Sequence, residues 1–156
     1  MEVVLREVVA DDLPAFFEQQ ADPAARQMVA FTAHDADDRA AFDRYWSTIL
    51  ADDGIDKRTV LVDGAVAGNI VSFDMYGERE VGYWIARRFW GRGVATAALR
   101  AFLATVARRP LHARAAMDNA ASRRVLEKCG FVATGSDRGY AKARAAEIDE
   151  AIFELR

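Results

Sequence analysis

The segment that most restricts the fold is Arg88-Phe89-Trp90-Gly91-Arg92-Gly93. A short β-like stretch, Glu80 to Ile85, leads into it, and an Ala/Leu-rich helical stretch leaves it, running to about Arg108 before Pro110. A strand that feeds a helix through two glycines leaves backbone N–H groups free at the helix N-terminus, where the partial positive charge of the helix adds to them. Arg88 and Arg92 add full charges. Such a junction suits a phosphate. It is not a P-loop, because no Gly-Lys-Ser/Thr follows. It is not a dinucleotide fingerprint either, because the third glycine and the acidic residue about 20 positions on are missing. Taken alone, Gly-x-Gly at such a junction is equally a tight turn.

The rest of the chain arranges itself around this junction. Val3 to Val8 is apolar and β-branched and reads as a strand. Asp11 or Asp12 can cap a helix that tolerates Pro14 in its first turn. Asp22-Pro23 opens a short second helix to about Met28, and Phe42, Tyr45, Trp46 and Ile49 repeat at helical spacing in a third, from about Asp38 to Leu50. The period then changes to two. Arg58 to Val62 and Ala65 to Met75 read as strands joined by an Asp63-Gly64 hairpin turn, with Gly68 marking a bulge, and Gly77-Glu78 turns the chain into Glu80 to Ile85. Beyond the glycine junction and its helix, the spacing predicts a strand over Leu111 to Met117 and a helix over Asn119 to Cys129, stopped by Gly130. Closing strands follow at Phe131 to Thr134 and Ile148 to Leu155. The expectation is an α+β fold forming a single domain over residues 1–156.

Composition excludes some partners. No apolar run approaches the ~20 residues of a membrane span, and Met1 to Glu7 lacks the pattern of a secretion leader. The single cysteine, Cys129, has no internal disulfide partner, so a cytoplasmic protein with no membrane partner is expected. The net charge of −3 hides an asymmetry: residues 1–56 carry 13 acids against 4 Lys/Arg, and residues 57–156 carry 11 acids against 17. The basic excess centres on Arg87 to Lys128. With an acidic chain overall and no nucleic-acid motif, a compact polyanionic cofactor explains this patch better than nucleic acid does. His34 and His112 do not make a metal site by their spacing, and no metal is expected.

The stretch from Glu80-Val81-Gly82-Tyr83-Trp84-Ile85 through Arg88-Phe89-Trp90-Gly91-Arg92-Gly93-Val94-Ala95-Thr96 resembles the pyrophosphate loop of the GNAT superfamily of N-acetyltransferases, in its ribosomal-protein-alanine acetyltransferase branch. A second block, Asn119-Ala120-Ala121-Ser122 leading to Glu127-Lys128-Cys129-Gly130-Phe131, is similar to the family's Asn-x-x-Ser helix and its Gly-Phe ending. The two blocks follow each other in the family's order. The resemblance implies a mixed, mostly antiparallel central sheet flanked by helices and splayed between its fourth and fifth strands, Glu80 to Ile85 and Leu111 to Met117. It implies acetyl-CoA as cosubstrate, with the pantetheine arm in the splay near Ile85 and Arg87. The pyrophosphate would lie on the N–H groups of Arg88, Gly91, Arg92, Gly93, Val94, Ala95 and Thr96, with Asn119 bonded to the pantetheine.

The implied reaction is direct attack of a primary amine, from a small molecule or a protein N-terminus, on the thioester in a ternary complex. Glu80 is the candidate base. Many relatives carry a proton-donating Tyr seven residues after the helix Asn, but this chain has Leu126 there, so Ser122 or Tyr140 is the candidate acid. Arg123, Arg124 and Lys128 are candidates for the 3′-phosphate. Phe31 and Trp46 are candidate pocket residues, and Asp35, Asp37 and Asp38 would favour a cationic acceptor if they face that pocket. The resemblance is compatible with a homodimer. The alternative reading, drawn from Leu126, is a non-catalytic acyl-CoA-binding or sensing module.

Overall fold

The structure, a computed structural model, describes residues 1–156. Seven strands form one sheet: β1 (Val3–Glu7), β2 (Asp56–Val62), β3 (Ala65–Met75), β4 (Glu78–Ile85), β5 (Leu111–Ala116), β6 (Val132–Ala141) and β7 (Ala146–Leu155), in the order β1-β2-β3-β4-β5-β7-β6. Every neighbouring pair is antiparallel except β4 and β5, which run parallel. Five helices flank the sheet: α1 (Leu13–Ala21), α2 (Pro23–Val29), α3 (Arg39–Ala51), α4 (Val94–Thr105) and α5 (Ala120–Lys128). The α+β fold expected from the sequence is the fold observed.

The sequence alternation sorts side chains to the two faces. On one face, Val60, Val62, Ile70, Val81 and Ile85 pack with Leu99 and Phe102 of α4, Leu126 of α5 and Phe153 of β7. On the other, Phe16, Phe42, Trp46 and Ile49 of α1 and α3 close over Val66 and Val71. Full burial of one such side chain contributes about 1.5–3 kcal/mol. Asp12 ties the rim together. Its carboxylate accepts from Arg6 Nη1 and Nη2 at 2.7 and 2.8 Å, from Thr59 Oγ1 at 2.6 Å and from the Val9 N–H at 3.0 Å. Burial pushes its pKa up, but those hydrogen bonds outweigh burial and hold it down to about 2.

The Asp63-Gly64 turn has positive φ at both residues, 49° and 84°, as a two-residue hairpin of type I′ requires. Gly68 lies beside the expected bulge, where the β2–β3 register shifts; a Cβ there would stand 1.9 Å from the Trp84 carbonyl oxygen. Strands β2 and β7 each start two residues earlier than the sequence reading, at Asp56 and Ala146, and three other boundaries differ as well. The turn into β4 uses Tyr76 and Gly77, both at positive φ, so that strand starts at Glu78. Helix α4 stops at Thr105, before the expected Arg108. Strand β6 runs ten residues, to Ala141, where only Phe131 to Thr134 was legible. As an edge strand exposed on both faces it carries no alternation to read.

Candidate active site

Strands β4 and β5 share a single register pair, Glu80 with His112, near their N-terminal ends. Past that pair they separate, and the gap becomes a cavity of about 610 Å³. Tyr83, Trp84 and Ile85 of β4 form one wall. Asn119, Ser122, Arg124, Val125 and Lys128 form the other, while Ala25, Met28 and Val29 of α2 close over it.

The glycine junction forms the cavity's end, where Phe89, Trp90, Gly91, Gly93, Val94, Ala95 and Thr96 all line it. Gly91 and Gly93 have φ of 72° and 77°, and no atom lies within 4 Å of where a Cβ would sit. Both conditions favour glycine: a backbone only glycine adopts freely, beside open space for a ligand. Helix α4 starts at Val94, and its first turn leaves N–H groups without intrahelical partners. Trp90 Nε1 donates to the Ile85 carbonyl at 2.8 Å and fixes the loop against the strand. The Arg88 and Arg92 guanidinium groups sit over the Phe89 ring, 4.6 and 5.5 Å from its centroid. Neither lines the cavity. Arg87 points away as well and pairs with Asp22 at 3.0 Å, holding the loop to the start of α2.

Asn119 does two jobs. Its side chain caps α5 by accepting the Ser122 N–H at 3.1 Å, while Nδ2 donates to the Met28 carbonyl at 3.2 Å, inside the cleft. Ser122 Oγ lies 2.8 Å from the Tyr83 hydroxyl. Burial pushes the Tyr83 pKa up to about 12, against the lowering effect of the Ser122 bond, so the phenol keeps its proton at neutral pH. Tyr83 is the residue the sequence reading passed over. It stands in the Glu80 to Ile85 stretch, but its meeting with Ser122 joins positions 39 apart in the chain. Leu126 is a core residue, 1% exposed, and presents nothing to the cleft.

Other candidates fall elsewhere. Tyr140 is 63% exposed on β6, outside the cavity lining. Trp46 is buried in the α1–α3 core, 5.0 Å from the Phe16 ring centroid. Phe31 packs on Ala30, Ala116 and Ala141. Asp38 caps α3 and Asp35 pairs with Lys142, so these carboxylates have local tasks. Arg124 and Lys128 line the cavity, whereas Arg123 donates to the Met117 carbonyl. Glu80 lies at the closed end of the splay and is 3% exposed, with Oε1 3.4 Å from Arg114 Nε. Burial raises its pKa; Arg114 and His112 oppose the shift, and Glu78 and Glu150 add to it.

The profile of the acetyltransferase (GNAT) domain family matches residues 2–132. The chain therefore belongs to the GNAT family of acetyltransferases. It is 35% identical over 119 residues to the protein named "Putative ribosomal N-acetyltransferase YdaF" from Bacillus subtilis, a match covering 66% of this chain and 64% of that protein. The chain thus spans just under two thirds of that relative's length. Among solved structures, Mycobacterium smegmatis RimJ in complex with CoA-disulfide superimposes with a TM-score of 0.81 at 23% identity, over 98% of this chain and 81% of that one. Spermidine N-acetyltransferase from Vibrio cholerae, in complex with CoA and spermine, gives 0.81 at 15% identity, over 98% and 94%. At such identities these two likenesses concern the fold.

Proposed function

We propose that residues 1–156 act as one acetyltransferase domain that binds acetyl-CoA in the β4–β5 cleft and moves the acetyl group to a primary amine. The observation that carries this reading is the cleft itself. One end is closed by a helix N-terminus behind two glycines of positive φ, and the wall beside it presents hydroxyl and amide groups. The pyrophosphate lies on the free N–H groups of residues 91–96, with charge support from Arg124 and Lys128 at the other wall. The pantetheine runs along β4 and takes the Asn119 amide in place of the Met28 carbonyl.

For the chemistry, Ser122 Oγ donates to the departing thiolate while the Tyr83 phenol bonds to Ser122 and orients it. A hydrogen bond at that sulfur acts where charge develops. No carboxylate lines the cavity, so the amine proton leaves through water to Glu80, whose burial makes it a stronger base than an ordinary glutamate. The acceptor is a small-molecule amine or a protein N-terminus; the names of the relatives refer to spermidine and to the ribosome. The rival reading, a non-catalytic acyl-CoA sensor, rests on Leu126. Tyr83 weakens it, since its phenol lines the cleft that Leu126 does not reach.

The test is acetyl-CoA-dependent thiol release against pools of amino acids, polyamines and short peptides with free N-termini. Release above background in one pool supports the transferase and names the acceptor class. Binding of acetyl-CoA without release in any pool favours the sensor.

A further inference from the structure

The closed end of the splay carries more than the single base that the proposed acetyl transfer uses. Glu78 and Glu80 lie on the same face of β4, and His112 sits opposite Glu80 on β5. One carboxylate oxygen from each glutamate and one imidazole nitrogen lie within 4.8 Å of one another. His112 Nδ1 is 3.7 Å from Glu78 Oε2. Two polar atoms of this group are buried without any hydrogen-bond partner: Glu80 Oε2 and His112 Nδ1. The Glu80 side chain is only 4% exposed. A buried polar atom without a partner costs about 1–3 kcal/mol, so two in one cluster point to a shared partner.

The surroundings fit a cation. Glu80 Oε1 faces Arg114, which leaves Oε2 for a ligand. His112 Nε2 lies 3.4 Å from Glu154 Oε2. A metal-bound imidazole usually gives its other N–H to a carboxylate in this way, which fixes the tautomer and presents the free nitrogen to the ion. Arg114 is also held by Glu150 and Asp137, and Arg156 bonds to Glu154. Glu78 is 46% exposed, which provides an entry path and lets its carboxylate swing inward. Ligands at about 2.0–2.2 Å from a Zn2+ ion require the three side chains to draw together from their present spacing of up to 4.8 Å. One imidazole and two carboxylates suit Zn2+ or another first-row divalent ion; Mg2+ and Ca2+ favour oxygen alone.

We propose that Glu78, Glu80 and His112 form a site for a divalent first-row cation, with Zn2+ the best fit, that ties β4 to β5 where the two strands meet. Water completes the coordination. The expectation from His34 and His112 spacing concerned a histidine pair; here the fold supplies carboxylates to one histidine. Binding has one consequence that rests on the proposed role of Glu80: the ion occupies Oε2 and withdraws the base, so turnover falls while acetyl-CoA affinity stays the same.

The test is calorimetric titration of metal-free wild-type protein with ZnCl2 near neutral pH, beside Glu78→Gln and His112→Gln. Circular dichroism verifies that each variant is folded; exposed Glu78 makes its variant the safer one. The expected result is one saturable site, weakened at least tenfold in each variant, with Zn2+ raising the thermal midpoint of the wild type more than that of either variant. Co2+ in place of Zn2+ should give visible absorption bands that both substitutions remove. No saturable binding up to millimolar Zn2+, or binding that survives both substitutions, would overturn the site. Binding as expected with turnover unchanged would overturn the role of Glu80 and leave the site standing.

Discussion

The two ends of the β4–β5 pair differ in almost every respect. At the C-terminal end the strands part, the wall residues are Tyr83, Ser122, Asn119 and backbone, and the nearby charges, Arg124 and Lys128, are positive. At the N-terminal end the strands meet once, at Glu80 and His112, and the group around them is rich in carboxylates: Glu78, Glu80, Glu150 and Glu154 around Arg114 and His112. A parallel pair with no other shared register position is closed at one end and open as a cleft at the other. The sign of charge changes along it, from one that attracts an anionic cofactor to one that attracts a cation.

The open end should be the more sensitive of the two, and most of all at its glycine loop. Gly93→Asp places a carboxylate and a β-carbon at φ 77°, beside the proposed pyrophosphate. Acetyl-CoA affinity should fall about 100-fold or more, close to 3 kcal/mol, as read by calorimetry. Zn2+ binding at the other end should be unchanged. Gly68→Ala acts on the strand pairing instead. Its methyl group would meet the Trp84 carbonyl, and the fold should lose about 3 kcal/mol in urea denaturation.

Asp12 tests whether acid sensitivity belongs to the rim or to the site. Its folded pKa, about 2, lies below the unfolded value, so its stabilisation is complete above about pH 4 and is lost as pH falls towards 2. The expected loss is about 2 kcal/mol across that window, and urea denaturation of Asp12→Asn should show a flatter profile. The smallest effect concerns the hydroxyl pair. Tyr83→Phe and Ser122→Ala should each lower kcat about tenfold, roughly 1.4 kcal/mol, with little change in acetyl-CoA affinity. The double variant should be less damaging than the product of the two, because they act as one unit. Strict additivity would separate Tyr83 from Ser122.

The same contrast explains what the sequence made legible. The glycine loop and the Asn119–Ser122 helix are local: strand, turn and cap residues lie within a few positions of one another, and each obeys a spacing rule. The turn at Asp63-Gly64 and the bulge at Gly68 were readable for the same reason. The closed end draws Glu78 and Glu80 from β4, His112 and Arg114 from β5, and Glu150 and Glu154 from β7. No spacing rule connects those positions; only the strand order does. Tyr83 was hidden similarly, since its partner comes from α5. Trp46 had a helical core periodicity and is a core residue, and Tyr140 belongs to an edge strand whose length the sequence did not disclose.

The most direct measurement is a crystal structure with acetyl-CoA. The pyrophosphate should lie against the backbone of residues 91–96, the pantetheine between β4 and α5, and the thioester sulfur within hydrogen-bond reach of Ser122 Oγ. Acetyl-CoA bound outside the β4–β5 cleft, or seated there with its sulfur far from both Ser122 and Tyr83, would contradict this placement.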